Sequence, residues 1–128
     1  MWYYQGKHFQ PEMVGDYVGF VYLITNKTNN NKYIGKKLFT KAKRKKRKRL
    51  RVGSDWQNYY GSNQILKQLV EQLGEDNFDR EIIKLCASKS EMSYYEAKLQ
   101  FENDVLLSDQ YYNQWIQCKI RKSHLRKK

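Results

Sequence analysis

Proline and cysteine are scarce in this 128-residue chain, and two of its segments contain no acidic residue at all. The single proline, Pro11, provides no proline-rich linker that would divide the chain, and no internal repeat is present. The two cysteines, Cys86 and Cys118, cannot make a zinc site alone, and neither belongs to a CxxC pair. They fit a reducing cytoplasm. No apolar run approaches the roughly 18 residues of a membrane span, and no charged-then-apolar leader is seen. The expectation is therefore a cytoplasmic chain with no membrane partner. Its length suits one domain, and a hydrophobic fraction of 40% with 15% aromatics suffices for a small core, which excludes global disorder.

What is present in excess is positive charge, 25 Lys and Arg against 13 Asp and Glu, a formal charge of +12. Its distribution is uneven. The stretch from Lys36 to Arg51 holds eleven basic residues and no acid, and Lys119 to Lys128 holds six more, again without an acid. The remainder carries eight basic residues against all thirteen acids, so a mildly acidic body bears two strongly basic segments. Concentrated basicity points to a polyanion, because each neutralised phosphate releases condensed counterions. Nucleic acid is the expected partner.

Hydrophobic patterning gives the elements. Residues 1–15, with Trp2, Tyr3, Tyr4, His8 and Phe9, have no clear period and read as an arm packed on the domain. Tyr17 to Thr25 is apolar at successive positions, as in a central strand buried on both faces. The Asn-rich Asn26 to Asn31 makes a turn, and Lys32 to Lys37 a second strand of a hairpin. The basic tract, 36–53, reads as an inserted loop. Ser62 is placed to cap a helix with Ile65, Leu66, Leu69, Val70 and Leu73 on one face, stopped by Gly74. Phe78 to Leu85 gives a third strand. Ser88 and Glu91 have the capping-box spacing for a helix to about Val105. The order β-β-α-β-α predicts an α/β domain with a three-stranded mixed or antiparallel sheet flanked by helices. The core then covers 16–113, and 114–128 is a basic extension.

Phe20-Val21-Tyr22, followed after ten residues by Tyr33-Ile34-Gly35, resembles the signature of the GIY-YIG nucleases, with Gly19 displaced by one position. Leu23 to Asn26, Lys32, Gly74, Phe78, Glu96 and Tyr112-Asn113 fall in that family's order. The run from Ser54 to Ser62 and Tyr111-Tyr112-Asn113 further resemble small stand-alone nucleases of bacteriophages. The resemblance implies a DNA endonuclease of phage homing or host-DNA-degrading type, in a bacterial cytoplasm, with Mg²⁺ or Mn²⁺ as cofactor. A non-catalytic basic nucleic-acid-binding protein on the same fold is the alternative. No separate recognition domain is expected in a chain of this length, and an oligomer is not readable.

Phosphodiester hydrolysis needs an activated water, stabilised phosphoryl oxygens and help for the leaving oxygen. Glu96, mid-helix between core-type Met92, Tyr95 and Leu99, is the candidate metal ligand, with Glu102 the runner-up. The resemblance implies that Tyr22 or Tyr33 positions and deprotonates water; Tyr22 is the first choice, and the sequence leaves both open. Neighbouring cations from the basic tract would favour the phenolate. For the scissile phosphate Arg44 is chosen by spacing, in competition with Arg47, Arg49 and Arg51. Asn113 matches the family's asparagine beside the phosphate or carboxylate. Lys36, Lys37, Lys43, Arg47, Arg49 and Arg51 are expected to follow the DNA backbone, and Tyr60 is a further DNA-binding candidate. His8 and His124 are read as non-catalytic.

Overall fold

A computed structural model describes residues 1–45, 48–119 and 122–125, the side chains of 42–52, 123 and 125 excepted. The chain runs β1 (Trp2–Tyr4), β2 (Lys7–His8), β3 (Gly19–Asn26), β4 (Asn31–Leu38), β5 (Thr40–Lys45), β6 (Lys48–Gly53), α1 (Gln64–Leu73), β7 (Phe78–Cys86), α2 (Lys89–Glu102) and the helical turn α3 (Lys122–Leu125). Five strands form one sheet in the order β2-β1-β7-β3-β4, and β5 pairs with β6 in a separate ribbon. The expected three-stranded centre, β4-β3-β7, is antiparallel throughout. Sequence reading missed the other two strands: the arm packs by pairing, β1 lying parallel to β7 and folding back on β2.

Alternation along β3 builds two cores. Phe20, Tyr22 and Ile24 face a cluster with Trp2, Phe9, Phe39, Trp56, Leu66, Val70 and Ile82, on the α1 side. Val21 turns the other way, onto Ile34, Cys86, Met92 and Val105 beneath α2. Both faces of β3 are buried, which is why its sequence reads as a continuous apolar run. On β7, Tyr22 opposes Ile82 while Val21 opposes Lys84, so Ile83 is a bulge. The extra residue inverts the side-chain alternation beyond it, sending Leu85 to the first core and Cys86 to the second. Burial pushes the Cys86 thiol up to about 12, and it packs as a small apolar group.

The helix ends differ from expectation at one functional point. Asn63, not Ser62, caps α1, its side chain accepting from the Leu66 amide at 3.0 Å. Asn63 also donates to the Tyr112 carbonyl at 2.8 Å, tying the cap to the segment after α2. At α2, Ser88 accepts from the Glu91 amide at 3.1 Å, and Glu91 accepts from the Ala87 amide at 3.1 Å. The helix stops at Glu102, short of Val105, with Asn103 closing it. The basic tract is a β-ribbon rather than a loop, with Lys43 opposite Leu50, Arg44 opposite Arg49 and Lys45 opposite Lys48.

Candidate active site

The site forms where β4, the edge strand, meets the start of α1 on one side and α2 on the other. Residues 110–113 run beside this edge: Lys32 donates to the Gln110 carbonyl at 2.7 Å and accepts from the Tyr112 amide at 2.8 Å. Asn113 continues the pairing with its side chain. Its Oδ1 accepts from the Ile34 amide at 3.0 Å and its Nδ2 donates to the Ile34 carbonyl at 2.8 Å. Both ends of the amide are thereby engaged with backbone, so Asn113 fixes the strand between Tyr33 and Gly35 rather than reaching a carboxylate. Tyr112 is anchored too, its hydroxyl accepting from Asn26 at 3.1 Å.

A cleft of about 330 Å³ opens between these elements, lined by Tyr33, Lys36, Ser62, Asn63, Glu96, Gln100, Asn113 and Trp115 among others. Glu96 reaches it from the middle of α2. The carboxyl is held above the usual carboxylate range, chiefly by burial, with Lys36 pulling in the opposite direction. Lys36 is itself oriented by Ser93, to which its ammonium donates at 2.6 Å. One turn beyond Glu96, Gln100 is 4% exposed. Its Nε2 donates to the Ile34 carbonyl at 3.0 Å, while its Oε1 is buried without a partner among the described residues. That buried amide oxygen had no signal in the sequence beyond a polar residue on the packed face of a helix.

The two tyrosines separate. Tyr33 lines the cleft, and its hydroxyl lies 3.1 Å from Ser62 Oγ, which is free for this contact because Asn63 makes the cap. Burial raises the Tyr33 phenol, the Ser62 hydrogen bond opposes that shift, and Tyr59 and Glu96 add to it. Tyr22, the first choice from sequence, is 1% exposed and lies outside the cleft lining. Its ring centroid is 6.2 Å from that of Tyr33 and 6.0 Å from that of Tyr59. Its phenol is raised well above the ordinary value, first by burial, then by Tyr59, Tyr33 and Glu96. Desolvation leads at both rings, and no cation among the described residues counters it. Tyr22 occupies the space a side chain would need at Gly35: a Cβ there would meet its hydroxyl and ring.

The remaining candidates are distributed around this centre. Lys37 is bound to Asp55 at 2.7 Å and sits 4.1 Å above the Tyr59 ring. Tyr60 stacks on Arg80, the guanidinium 4.1 Å from its ring centre, and faces a second pocket. Arg80 was missed in the sequence: 4% exposed, it donates to the Gln57 and Tyr59 carbonyls at 3.0 and 2.8 Å and lies 4.7 Å from the Trp2 ring. Arg47 lies outside the described residues, as do the side chains of Lys43, Arg44, Arg49 and Arg51. The Arg44 backbone sits four positions along β5 from Thr40, roughly 13 Å at the usual strand rise. Among the described residues the cation lining the cleft is Lys36. Glu102 is exposed and belongs to a different depression, with Tyr95 and Lys98.

No helix among the described residues is long and apolar enough to cross a membrane. Comparison with known proteins agrees with the geometry. A family model described as "Putative endonuclease segE, GIY-YIG domain" matches residues 2–116. The chain is 32% identical over 96 residues to "Putative endonuclease segE" of Enterobacteria phage T4. That match covers 73% of this chain and 39% of the phage protein, so the chain spans well under half of its relative's length. No solved structure matches it. The paired strand tyrosines, the helix-borne glutamate at the cleft and the family match together make this chain a member of the segE-type GIY-YIG endonuclease family.

Proposed function

We propose that this protein is a DNA endonuclease that hydrolyses phosphodiester bonds with one divalent metal ion, Mg²⁺ or Mn²⁺. The observation that carries the reading is the convergence of Glu96, Tyr33 and Lys36 on one cleft at the sheet edge. The residues fit such a cation. Glu96 offers a carboxylate with no hydrogen-bond donor among the described residues, and the partnerless Gln100 oxygen stands one turn away. A hard cation that keeps most of its waters needs only one or two carboxylates. Among the described residues no three His, Cys, Asp or Glu side chains cluster, so a fully protein-liganded centre is not the kind that fits. When bound, the ion would stabilise charge on the phosphoryl and leaving oxygens.

The chain's own groups would supply the rest. Tyr33 orients the attacking water through its hydroxyl, with Ser62 fixing the phenol. Lys36 pairs with a phosphate oxygen of the strand in the cleft, taking the place assigned by spacing to Arg44. Asn113 and Tyr22 position Tyr33, the first through the Ile34 backbone and the second by ring packing. The ribbon β5–β6 tracks the DNA backbone: its backbone register sets Arg44 opposite Arg49 and Lys45 opposite Lys48 in a tract without an acid, as suits a polyanion. The relative's phage origin supports a homing or host-DNA-degrading role for the activity. A plasmid-nicking assay tests the core of this reading. Wild type should nick only with divalent metal, and Tyr33→Phe and Glu96→Gln should each lose about 100-fold or more. Salt-sensitive binding without metal-dependent nicking would leave only a nucleic-acid-binding protein.

A further inference from the structure

Two of the three tryptophans are core residues, and the third is not. Trp2 and Trp56 are 2% and 8% exposed and each contacts several rings, whereas Trp115 is 71% exposed with no ring or hydrogen-bond partner among the described residues. Trp115 is a wall of the cleft that holds Tyr33 and Glu96. The same cleft is bordered by Ile65, 49% exposed on the first turn of α1, although the helix pattern assigns Ile65 to the buried face. A polar floor is therefore flanked by apolar groups that the protein itself leaves uncovered, and Gln114 and Gln117 line the same cleft.

In an intact duplex the base faces beside a scissile phosphate are covered by their neighbours, and an indole has no π-face to meet. It finds one where a base is unpaired or displaced, and stacking there is tolerant of sequence because every base has a π-face. The charge of the surroundings fits a nucleic-acid strand rather than an apolar partner: Lys36 lines the cleft, and the segment beyond Trp115 is the basic one. Resting on the nuclease reading above, we infer that the cleft takes a DNA strand with an unpaired base beside the cut, and that Trp115 stacks on this base. Branched, gapped or single-stranded DNA presents such a base directly, and a plasmid duplex presents it where a base leaves the stack, as negative supercoiling favours. Gln114 and Gln117 are placed to contact the edge of the same base.

The full chain, without divalent metal, is titrated with a single-stranded oligothymidylate and with a blunt duplex of equal length while tryptophan emission is followed. The single strand should quench the wild type strongly, and the duplex weakly. Trp115→Phe should abolish the quench while binding persists by anisotropy of a labelled oligonucleotide. Trp115→Ala, an exposed substitution whose fold is checked by circular dichroism, should weaken the single strand about tenfold and the duplex less than about twofold. A quench that survives in Trp115→Phe, or equal effects of Trp115→Ala on both nucleic acids, overturns the inference and leaves the nuclease reading standing. Failure of wild type to bind either nucleic acid at low salt overturns both.

Discussion

Glu96 is unfavourable to the fold when ionised, since burial disfavours the charged form and only Lys36 offsets it. A raised carboxyl binds its proton more tightly in the folded state than in the unfolded chain. Between the ordinary carboxylate range and its raised value the folded state therefore holds more protons, and stability falls as pH rises through that window. Glu96→Gln removes the ionisable group, so its melting temperature at pH 7 should exceed that of wild type, and the difference should vanish below pH 4. Added Mg²⁺ should raise the wild-type midpoint and leave the variant unmoved; a wild type indifferent to Mg²⁺ in a thermal scan would contradict the metal assignment. At this scale Glu96 was legible, because a carboxylate on the packed side of a helix is unusual. The choice between Tyr22 and Tyr33 was not. It turns on which hydroxyl opens onto the cleft, and that is set by Gly35, Tyr59 and Ser62, which no spacing between the two tyrosines encodes. For the same reason Tyr33→Phe and Tyr22→Phe should differ in kind. The first should lower the nicking rate at unchanged stability. The second empties buried space beside Gly35 that the Tyr22 hydroxyl fills and should cost about 1 kcal/mol of unfolding free energy in a urea titration.

Strand β4 contributes the cleft's cation and the phenol proposed to handle water, and its geometry depends on one residue without a side chain. At Gly35 a methyl group would press on the Tyr22 hydroxyl and ring, which the Tyr59 and Tyr33 rings leave little room to move. Gly35→Ala should destabilise the protein by about 1–3 kcal/mol in chemical denaturation and displace Tyr33, lowering nicking in proportion beyond the stability loss. An alanine variant as stable and active as wild type would show that the Tyr22 packing is not what sets the strand. The three central strands and both long helices were readable from different signals, β3 from its unbroken apolar run, α1 from one apolar face and α2 from the Ser88–Glu91 capping-box spacing. The arm's strands are three and two residues long, too short for any alternation to register, and the pairing of β1 with β7 is non-local. The bulge at Ile83 was equally invisible: Leu85 and Cys86 fit either face as apolar residues, and only the partner register decides between them. The Ser62 cap was misread for a similar reason. Ser62 and Asn63 are both good caps, and the preference for Asn63 comes from its second bond, to a carbonyl 49 residues away.

Over the whole molecule, function divides between a cleft with few charges and segments with many. In the proposed reading the cleft sets the chemistry, while the ribbon and the basic extension set how firmly DNA is held. If Arg44, on the ribbon, contributed to the cleavage step, its removal would slow nicking at saturating DNA. If it only tracks the backbone, the effect would be confined to affinity. In the proposed reading Lys36, which lines the cleft, has the first role, and the ribbon the second. A variant with Lys43, Arg44, Arg49 and Arg51 all changed to Gln should therefore bind more weakly, and its log affinity against log salt should lose about 0.7–0.9 in slope for each phosphate contact removed. At saturating DNA it should still nick at close to the wild-type rate, because the cleft is untouched. Lys36→Ala should do the reverse, lowering the salt slope by no more than the one contact it removes, about 0.7–0.9, and slowing the single-turnover rate about 100-fold. A ribbon variant that binds normally at saturating concentration yet fails to cut would return the phosphate-binding role to the arginines.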